Sequence, residues 1–319
     1  MNVLIIYYSQ TGNTQTIARC IRDGVREAGH SVYVVPLKQV NAAMLEKYDL
    51  IGLGSPIWCA DPPPVRKFIE SLPMQQGKHL FLFTTHGTMP DLYFPVVSRN
   101  VIEKGFQIVG MADWYGDCKI QVFRYPYFTT GHPDEIDKES AAAFGREVCR
   151  KSQAVRDGLE EPLKQVPPTN INPMQACAVI NMLNGNTSPH CSLKQDRSKC
   201  LHEKGCSICQ DNCPMGYIDL DQGKFGRHGD SCGDGHGCTY CEMLCPAGAI
   251  YAFEPTFEEE AKKDAARGFK MFQMILAEAE EAGRFRQLMP PEAFEEYVPF
   301  YQTTGHPRIR PLSCKEDNE

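Results

Sequence analysis

Eight cysteines between positions 200 and 245 write one pattern twice, and few folds can accommodate it. The first copy is Cys200, Cys206, Cys209 and Cys213-Pro214; the second is Cys232, Cys238, Cys241 and Cys245-Pro246. Both read C-x5-C-x2-C-x3-C-P, and each cysteine of the second copy lies 32 residues after its counterpart. A duplicated quartet ending in Cys-Pro is how a chain supplies one thiolate to each iron of two [4Fe–4S] clusters. Structural zinc is the competing reading, because paired C-x2-C also suits Zn²⁺. Zinc requires neither the x3-C-P ending nor the matched duplication. The segments after each Cys-Pro, Met215–Ile218 and Ala247–Ile250, repeat a single turn-and-strand element.

Residues 191–254 resemble the bacterial two-cluster ferredoxins. The resemblance implies a small α+β fold in which the fourth cysteine of each copy ligates the other copy's cluster. On that pattern Cys200, Cys206, Cys209 and Cys245 hold one [4Fe–4S] cluster, and Cys232, Cys238, Cys241 and Cys213 hold the second. The chain departs from those ferredoxins at one place. They usually have two residues between their first two ligands, whereas here both copies have five, Leu201–Gly205 and Gly233–Gly237. The departure bears on Cys200 and Cys232, and Cys191 is the available substitute.

The first 160 residues read as a different kind of domain. Apolar, β-branched runs near 2–8, 31–37, 48–54, 79–85 and 107–112 predict five buried strands. Helical patterns lie near 13–28, 39–47, 63–72, 92–104 and 135–157. Strands alternating with helices predict a doubly wound parallel sheet, with ligands bound beyond the carboxyl ends of its strands. The loop after the first strand is Ser9-Gln10-Thr11-Gly12-Asn13-Thr14. Its hydroxyls and backbone N–H groups can surround a phosphate at a helix N-terminus. It lacks the Gly-Lys-Ser/Thr of a Walker A loop, and Gly52-Leu53-Gly54 lacks the third glycine of the dinucleotide fingerprint.

This loop resembles the flavodoxin phosphate loop, Ser/Thr-x-Thr-Gly-x-Thr, and matches it from Ser9 to Thr14. The resemblance implies FMN, with the isoalloxazine ring gripped by the loops after strands three and four. Those contain Ser55, Pro56, Ile57, Trp58 and Cys59, and Thr85, His86 and Gly87. Trp58 is the candidate to stack on the ring, against a packing role. Trp114, expected just after strand five, either forms a second wall or covers the sheet. His86 is the candidate proton donor as the flavin is reduced, while Cys59 reads as a small packing residue.

Residues 161–190 read as a proline-containing linker with a short helix at 174–184. Residues 191–255 form the ferredoxin-like domain. Residues 256–319 read as a helical and aromatic extension, helical from 256 to 288, that clamps the domains or covers a site. Thr303–Pro307 repeats Thr129–Pro133 word for word.

A net charge of −7 argues against a nucleic-acid surface. No apolar run is long enough to span a membrane, and the opening run Met1–Tyr8 shows neither a basic leader nor a small-residue cleavage site, so no signal peptide is expected. The 15 cysteines fit a reducing cytoplasm better than a disulfide framework. The whole resembles ferredoxins with an N-terminal flavodoxin domain. That resemblance implies an electron-transfer protein coupling one-electron clusters to a two-electron flavin, working with a redox partner protein or a small-molecule acceptor. The alternative is a self-contained FMN-dependent reductase fed by the clusters.

Overall fold

A computed structural model of the chain describes residues 1–58, 60–90, 92–119, 126–166, 194–224, 238, 240–251, 258–294 and 309–318. The chain divides into two compact units. The first comprises Met1–Gly116, Gly131–Ile171 and Leu312–Glu319; the second comprises Asp117–Thr130 and Asn172–Pro311.

Five parallel strands form the first unit's sheet: β1 (Asn2–Tyr7), β2 (Ser31–Pro36), β3 (Leu50–Pro56), β4 (His79–His86) and β5 (Gln107–Tyr115), in the order β2-β1-β3-β4-β5. This is the doubly wound order whose ligand crevice opens beside the carboxyl end of β1, between β1 and β3. β1, an interior strand, is almost wholly apolar and buried, as a strand covered on both faces must be. Helices α1 (Asn13–Glu27), α2 (Pro63–Ser71), α3 (Tyr93–Glu103) and α4 (Glu135–Arg156) supply that cover.

One face packs Leu4, Ile6, Leu53 and Leu82 against Val65 and Ile69 of α2 and Val97 of α3. The other packs Val3, Ile5, Phe81 and Phe83 against Ile17 and Ile21 of α1 and Val148 of α4. Glycines set two close approaches. A Cβ on Gly54 of β3 would sit 2.2 Å from the Phe83 ring. Where α1 meets α4, a Cβ on Gly24 would sit 1.8 Å from Ala142 O, and one on Gly145 would sit 2.2 Å from Ile21 O.

Several sequence expectations are corrected. The stretch 39–47 is not an α-helix: it forms two 3₁₀ turns, Leu37–Gln39 and Ala42–Lys47. Pro36 and the extended Val40 and Asn41 interrupt it, and the Asn41 side chain accepts from Met44 N. β3 runs on through Ser55 and Pro56, so these stand in the strand rather than in the following loop. β5 runs to Tyr115, which places Trp114 inside the strand.

Both sheet edges receive later chain. On β5, Leu163 N donates to Ile108 O at 2.7 Å. On β2, the Asn318 carboxamide accepts from Val34 N at 2.7 Å and donates to Val34 O at 2.8 Å.

The second unit contains β6 (Lys194–Gln195) paired antiparallel with β7 (Ile250–Tyr251), and helices α5 (Ile208–Asp211), α6 (Tyr240–Leu244) and α7 (Glu258–Glu281). Its small core gathers Ile218, Cys241, Cys245, Ala249 and Ile250. α7 stops at Glu281, short of the expected 288, because Gly283 takes a positive φ of 67° and turns the chain. The helix expected at 174–184, Cys191 and the second Thr-Thr-Gly-His-Pro copy at 303–307 lie outside the described residues.

Candidate functional site

At the carboxyl end of β1 the chain crosses into α1 through the loop Ser9–Gly12. Gly12 adopts φ +99°, which side chains rarely tolerate, and its N–H donates to Ser9 Oγ at 3.2 Å. It is also the N-cap of α1, and a glycine offers no side chain to cap the first turn. That turn has no acidic residue either. Helix α4 is the opposite case, with a full capping box between Asp134 and Asp137 and Glu135 in its first turn. An uncapped helix N-terminus presents unshared N–H groups and a positive dipole end, the arrangement that accepts an anion.

The hydroxyls around this loop are held in place. Thr14 Oγ1 lies 2.8 Å from Thr85 Oγ1, tying α1 to the end of β4. Asn13 Nδ2 donates to Thr11 Oγ1 at 3.4 Å. Gln10 is buried, and its Oε1 accepts from Trp58 Nε1 at 3.2 Å. This bond joins the first loop to the loop after β3. Trp58 is itself buried and meets Tyr8 edge to face at 6.1 Å. The Ser55 hydroxyl donates to Pro56 O within the strand end, and Ile57 packs on the α2 side of the core. Cys59 lies outside the described residues.

The two tryptophans stand apart in environment. Trp114 is in the core on the α1 and α4 face, meeting Phe144 at 5.7 Å and donating to Ser140 Oγ at 3.4 Å. Covering the sheet is what this position does.

His86 ends β4, with Gly87 immediately after it. Its side chain is 2% exposed, and Nε2 lies 2.9 Å from Asp113 Oδ2. An ionised carboxylate only accepts, so the neutral ring carries its proton on Nε2 and presents Nδ1 as an acceptor. Nδ1 is buried with no hydrogen-bond partner among the described residues. The Tyr115 ring lies at 4.7 Å, edge on. Nothing in the sequence marks Asp113 as the partner. It becomes legible only from the register, in which His86 faces Tyr115 and Thr84 faces Asp113.

The second unit brings the first cysteine set together. Cys200, Cys206, Cys209 and Cys245 line one pocket, with Leu201, Ile208, Pro246 and Ile250 as apolar wall. Burial pushes the Cys209 thiol up to about 11, and its neighbours Cys245 and Cys200 push the same way. Among the described residues, no three cysteine sulfurs lie within 4.8 Å of one another. One tetrahedral Zn²⁺ would draw its thiolates to about 3.8 Å, given Zn–S bonds near 2.3 Å.

The duplicated sequence is also a duplicated conformation. Gly216 N donates to Cys213 O and Gly248 N to Cys245 O, both at 3.2 Å. Both glycines have positive φ, 66° and 59°. Tyr217 N then points at Cys213 Sγ at 3.4 Å, and Ala249 N at Cys245 Sγ at 3.2 Å. Gln195 Nε2 donates to Cys200 Sγ at 3.3 Å, a contact the cysteine spacing gave no reason to expect. Of the second set, Cys238 and Cys241 are buried and Cys213 is half-buried, while Cys232 lies outside the described residues.

A five-stranded, all-parallel, doubly wound unit with an uncapped helix N-terminus after its first strand defines a class of α/β domain. Residues 4–95 match the family model for a flavodoxin domain. An uncharacterised protein of Methanocaldococcus jannaschii is 28% identical over 155 residues, which is 47% of this chain and 99% of that protein. A flavodoxin of Clostridium saccharobutylicum is 25% identical over 162 residues, 49% of this chain and 99% of its own length. A solved archaeal flavodoxin matches 48% of this chain and 99% of its own, at 20% identity and a TM-score of 0.38. Each of these relatives spans about half of the chain. The first half of this protein is therefore a flavodoxin-like domain. No helix among the described residues is long and apolar enough to cross a membrane.

Proposed function

We propose that the chain is an electron-transfer iron–sulfur flavoprotein, holding one FMN on its first unit and two [4Fe–4S] clusters on its second. When bound, the flavin supplies two-electron chemistry and the clusters supply one-electron steps. The observation that carries the reading is the cavity that collects Cys200, Cys206, Cys209 and Cys245, the set implied by the crossed ligand pattern. Its five-residue spacers do not keep Cys200 from the other three thiols. By the same pattern Cys232, Cys238, Cys241 and Cys213 hold the second cluster.

The donor set of the first unit fits FMN. The N–H groups of the α1 first turn and the hydroxyls of Ser9, Thr11 and Thr14 hold the phosphate. Gln10, Asn13, Gly12 and the strand-end residues Ser55, Pro56, Ile57, Trp58, Thr85 and Gly87 position loop and ring. Trp58 is braced by Gln10 and Tyr8 in a fixed orientation. Trp114 is left to the core. The apolar wall of the cysteine cavity excludes water, and the N–H donors of Ala249 and Tyr217 stabilise negative charge on Cys245 and Cys213. The electrons pass to a redox partner protein or a small-molecule acceptor.

A second reading, a self-contained FMN-dependent reductase, is favoured by His86. Its Nδ1 is a buried acceptor without a hydrogen-bond partner among the described residues, and the contact of Nε2 with Asp113 leaves Nδ1 free to accept. A group so placed accepts or returns a proton beside the ring.

The test is iron, acid-labile sulfide, zinc and flavin per chain after anaerobic purification. About eight irons, eight sulfides and one FMN are expected. Cys245→Ala and Cys209→Ala lose the same cluster, and Cys213→Ala loses the other. Zinc in place of iron, or one cluster lost to both Cys245→Ala and Cys213→Ala, overturns the assignment.

A further inference from the structure

The last described residues, Leu312–Asn318, belong to the first compact unit, where they lie along α1. Their anchor is Asp317, whose side chain is 1% exposed. Asp317 Oδ2 accepts from Tyr7 Oη at 2.6 Å, and Oδ1 accepts from Gln15 Nε2 at 3.0 Å and Arg19 Nε at 2.8 Å. Gln15 Nε2 also donates to Tyr7 Oη and to Ser313 O, both at 2.8 Å. The Tyr7 phenol is raised far above its ordinary value, by burial first and by Asp317 next, so it stays protonated and donating. Arg22 Nη1 donates to Glu316 O and Asp317 O at 2.9 and 2.8 Å.

The placement of these partners gives the network its meaning. Tyr7 is the last residue of β1, and Gln15 is in the first turn of α1. The chain between them, Tyr8–Thr14, contains the loop Ser9–Gly12. One buried carboxylate thus ties together the two ends of that loop. Leu312 completes the arrangement from the outside: a Cβ on Gly12 would lie 3.7 Å from Leu312 Cδ2.

We propose that Leu312–Asn318 is a positioning strap for the phosphate loop, with Asp317 as its key residue, so that docking of the chain's C-terminal segment and binding of a flavin phosphate strengthen each other. The inference rests on the FMN reading of the first unit. A loop whose two ends are fixed in advance loses less freedom on binding, which is how preorganisation raises affinity. Coupling between two sites is reciprocal and commonly amounts to roughly 5- to 150-fold. The strap acts on the phosphate end of the ligand, because that is the end the loop holds.

The experiment titrates the full chain, Asp317→Ala, Asn318→Ala and a chain ending at Pro311 with FMN and, separately, with riboflavin, following flavin fluorescence. Asn318→Ala loosens the strap at Val34, away from the loop, and covers the case in which Asp317→Ala does not fold. FMN affinity is expected to fall roughly 5- to 150-fold in the truncated chain and in Asp317→Ala. The fall in Asn318→Ala is smaller, and riboflavin affinity is unchanged throughout. The converse readout is carboxypeptidase trimming of the wild-type C-terminus, which FMN slows and riboflavin does not. Equal losses for both flavins mean a merely structural role and overturn the proposal, as does unchanged FMN affinity in the variants. A wild-type chain that binds neither flavin refutes the FMN reading itself, a result distinct from either.

Discussion

Gly24 and Gly145 are the positions where α1 and α4 touch through backbone, and replacing Gly24 by alanine tests how rigid that contact is. A Cβ there would meet Ala142 O at 1.8 Å, Ala142 C at 2.7 Å and Ala142 Cα at 3.0 Å. All three are backbone atoms, so no rotamer change relieves the overlap and the helices must part by about an ångström. Overpacking of this kind costs up to about 3 kcal/mol. Alanine returns roughly 1 kcal/mol through its better helix propensity. The net loss is about 2 kcal/mol, which for a unit of this size lowers Tm by roughly 4–8 °C. Thermal unfolding of the apo-protein followed by far-ultraviolet circular dichroism reads it. Because α1 begins at the phosphate loop, FMN binding should weaken in the same variant. A Tm equal to or above wild type would show that the helices separate freely and would refute the reasoning.

Three further outcomes are expected. Thr14→Val breaks the buried hydroxyl pair with Thr85 and leaves Thr85 short of a partner, a cost of about 1–3 kcal/mol; FMN titration should show weaker binding, from the lost Thr14 hydroxyl and from a loosened α1 together. His86→Asn should flatten the dependence of the flavin midpoint potential on pH, read by spectroelectrochemistry, and identical slopes in both proteins would remove His86 from proton coupling. Burial holds His79 below the ordinary imidazole value, with Arg156 adding to the effect. Below about pH 6.5 the unfolded chain therefore takes up a proton that the folded chain refuses, and stability falls as pH drops through that value. Denaturant titrations of His79→Gln at pH 7 and pH 5 should show a smaller fall than wild type.

The sheet was legible because its strands are buried on both faces. Runs such as Val3–Tyr7 and Leu80–Phe83 are apolar at every position, and only a central parallel strand has that pattern. The turn from β1 into α1 was legible because Gly12 and the hydroxyls around it are local in sequence. The stretch 39–47 misled because helical spacing over so few residues does not distinguish an α-helix from 3₁₀ turns. Trp114 misled by one strand end: nothing in Asp113-Trp114-Tyr115-Gly116 marks where β5 stops, and the pairing with β4 decides it. The partnership of His86 with Asp113 depends on the same register. Asp317 was beyond reach for a different reason. One acid within the charged run Lys315–Glu319 looks solvated, and the burial of Asp317 depends on Tyr7, Gln15 and Arg19, some 300 residues earlier in the chain. The gathering of Cys200, Cys206, Cys209 and Cys245 around one pocket follows residues that their repeated spacing had already set apart.

The Asn318 carboxamide on β2 has a consequence for how the protein behaves in company. It occupies the outward N–H and C=O of Val34 at the margin of the sheet, where a strand from another molecule would otherwise dock. Leu163 does the same for Ile108 on the opposite margin. A protein nicked near its C-terminus would keep its sheet but expose a pairing template. Trace proteolysis in a preparation should therefore announce itself as self-association, well before any loss of fold.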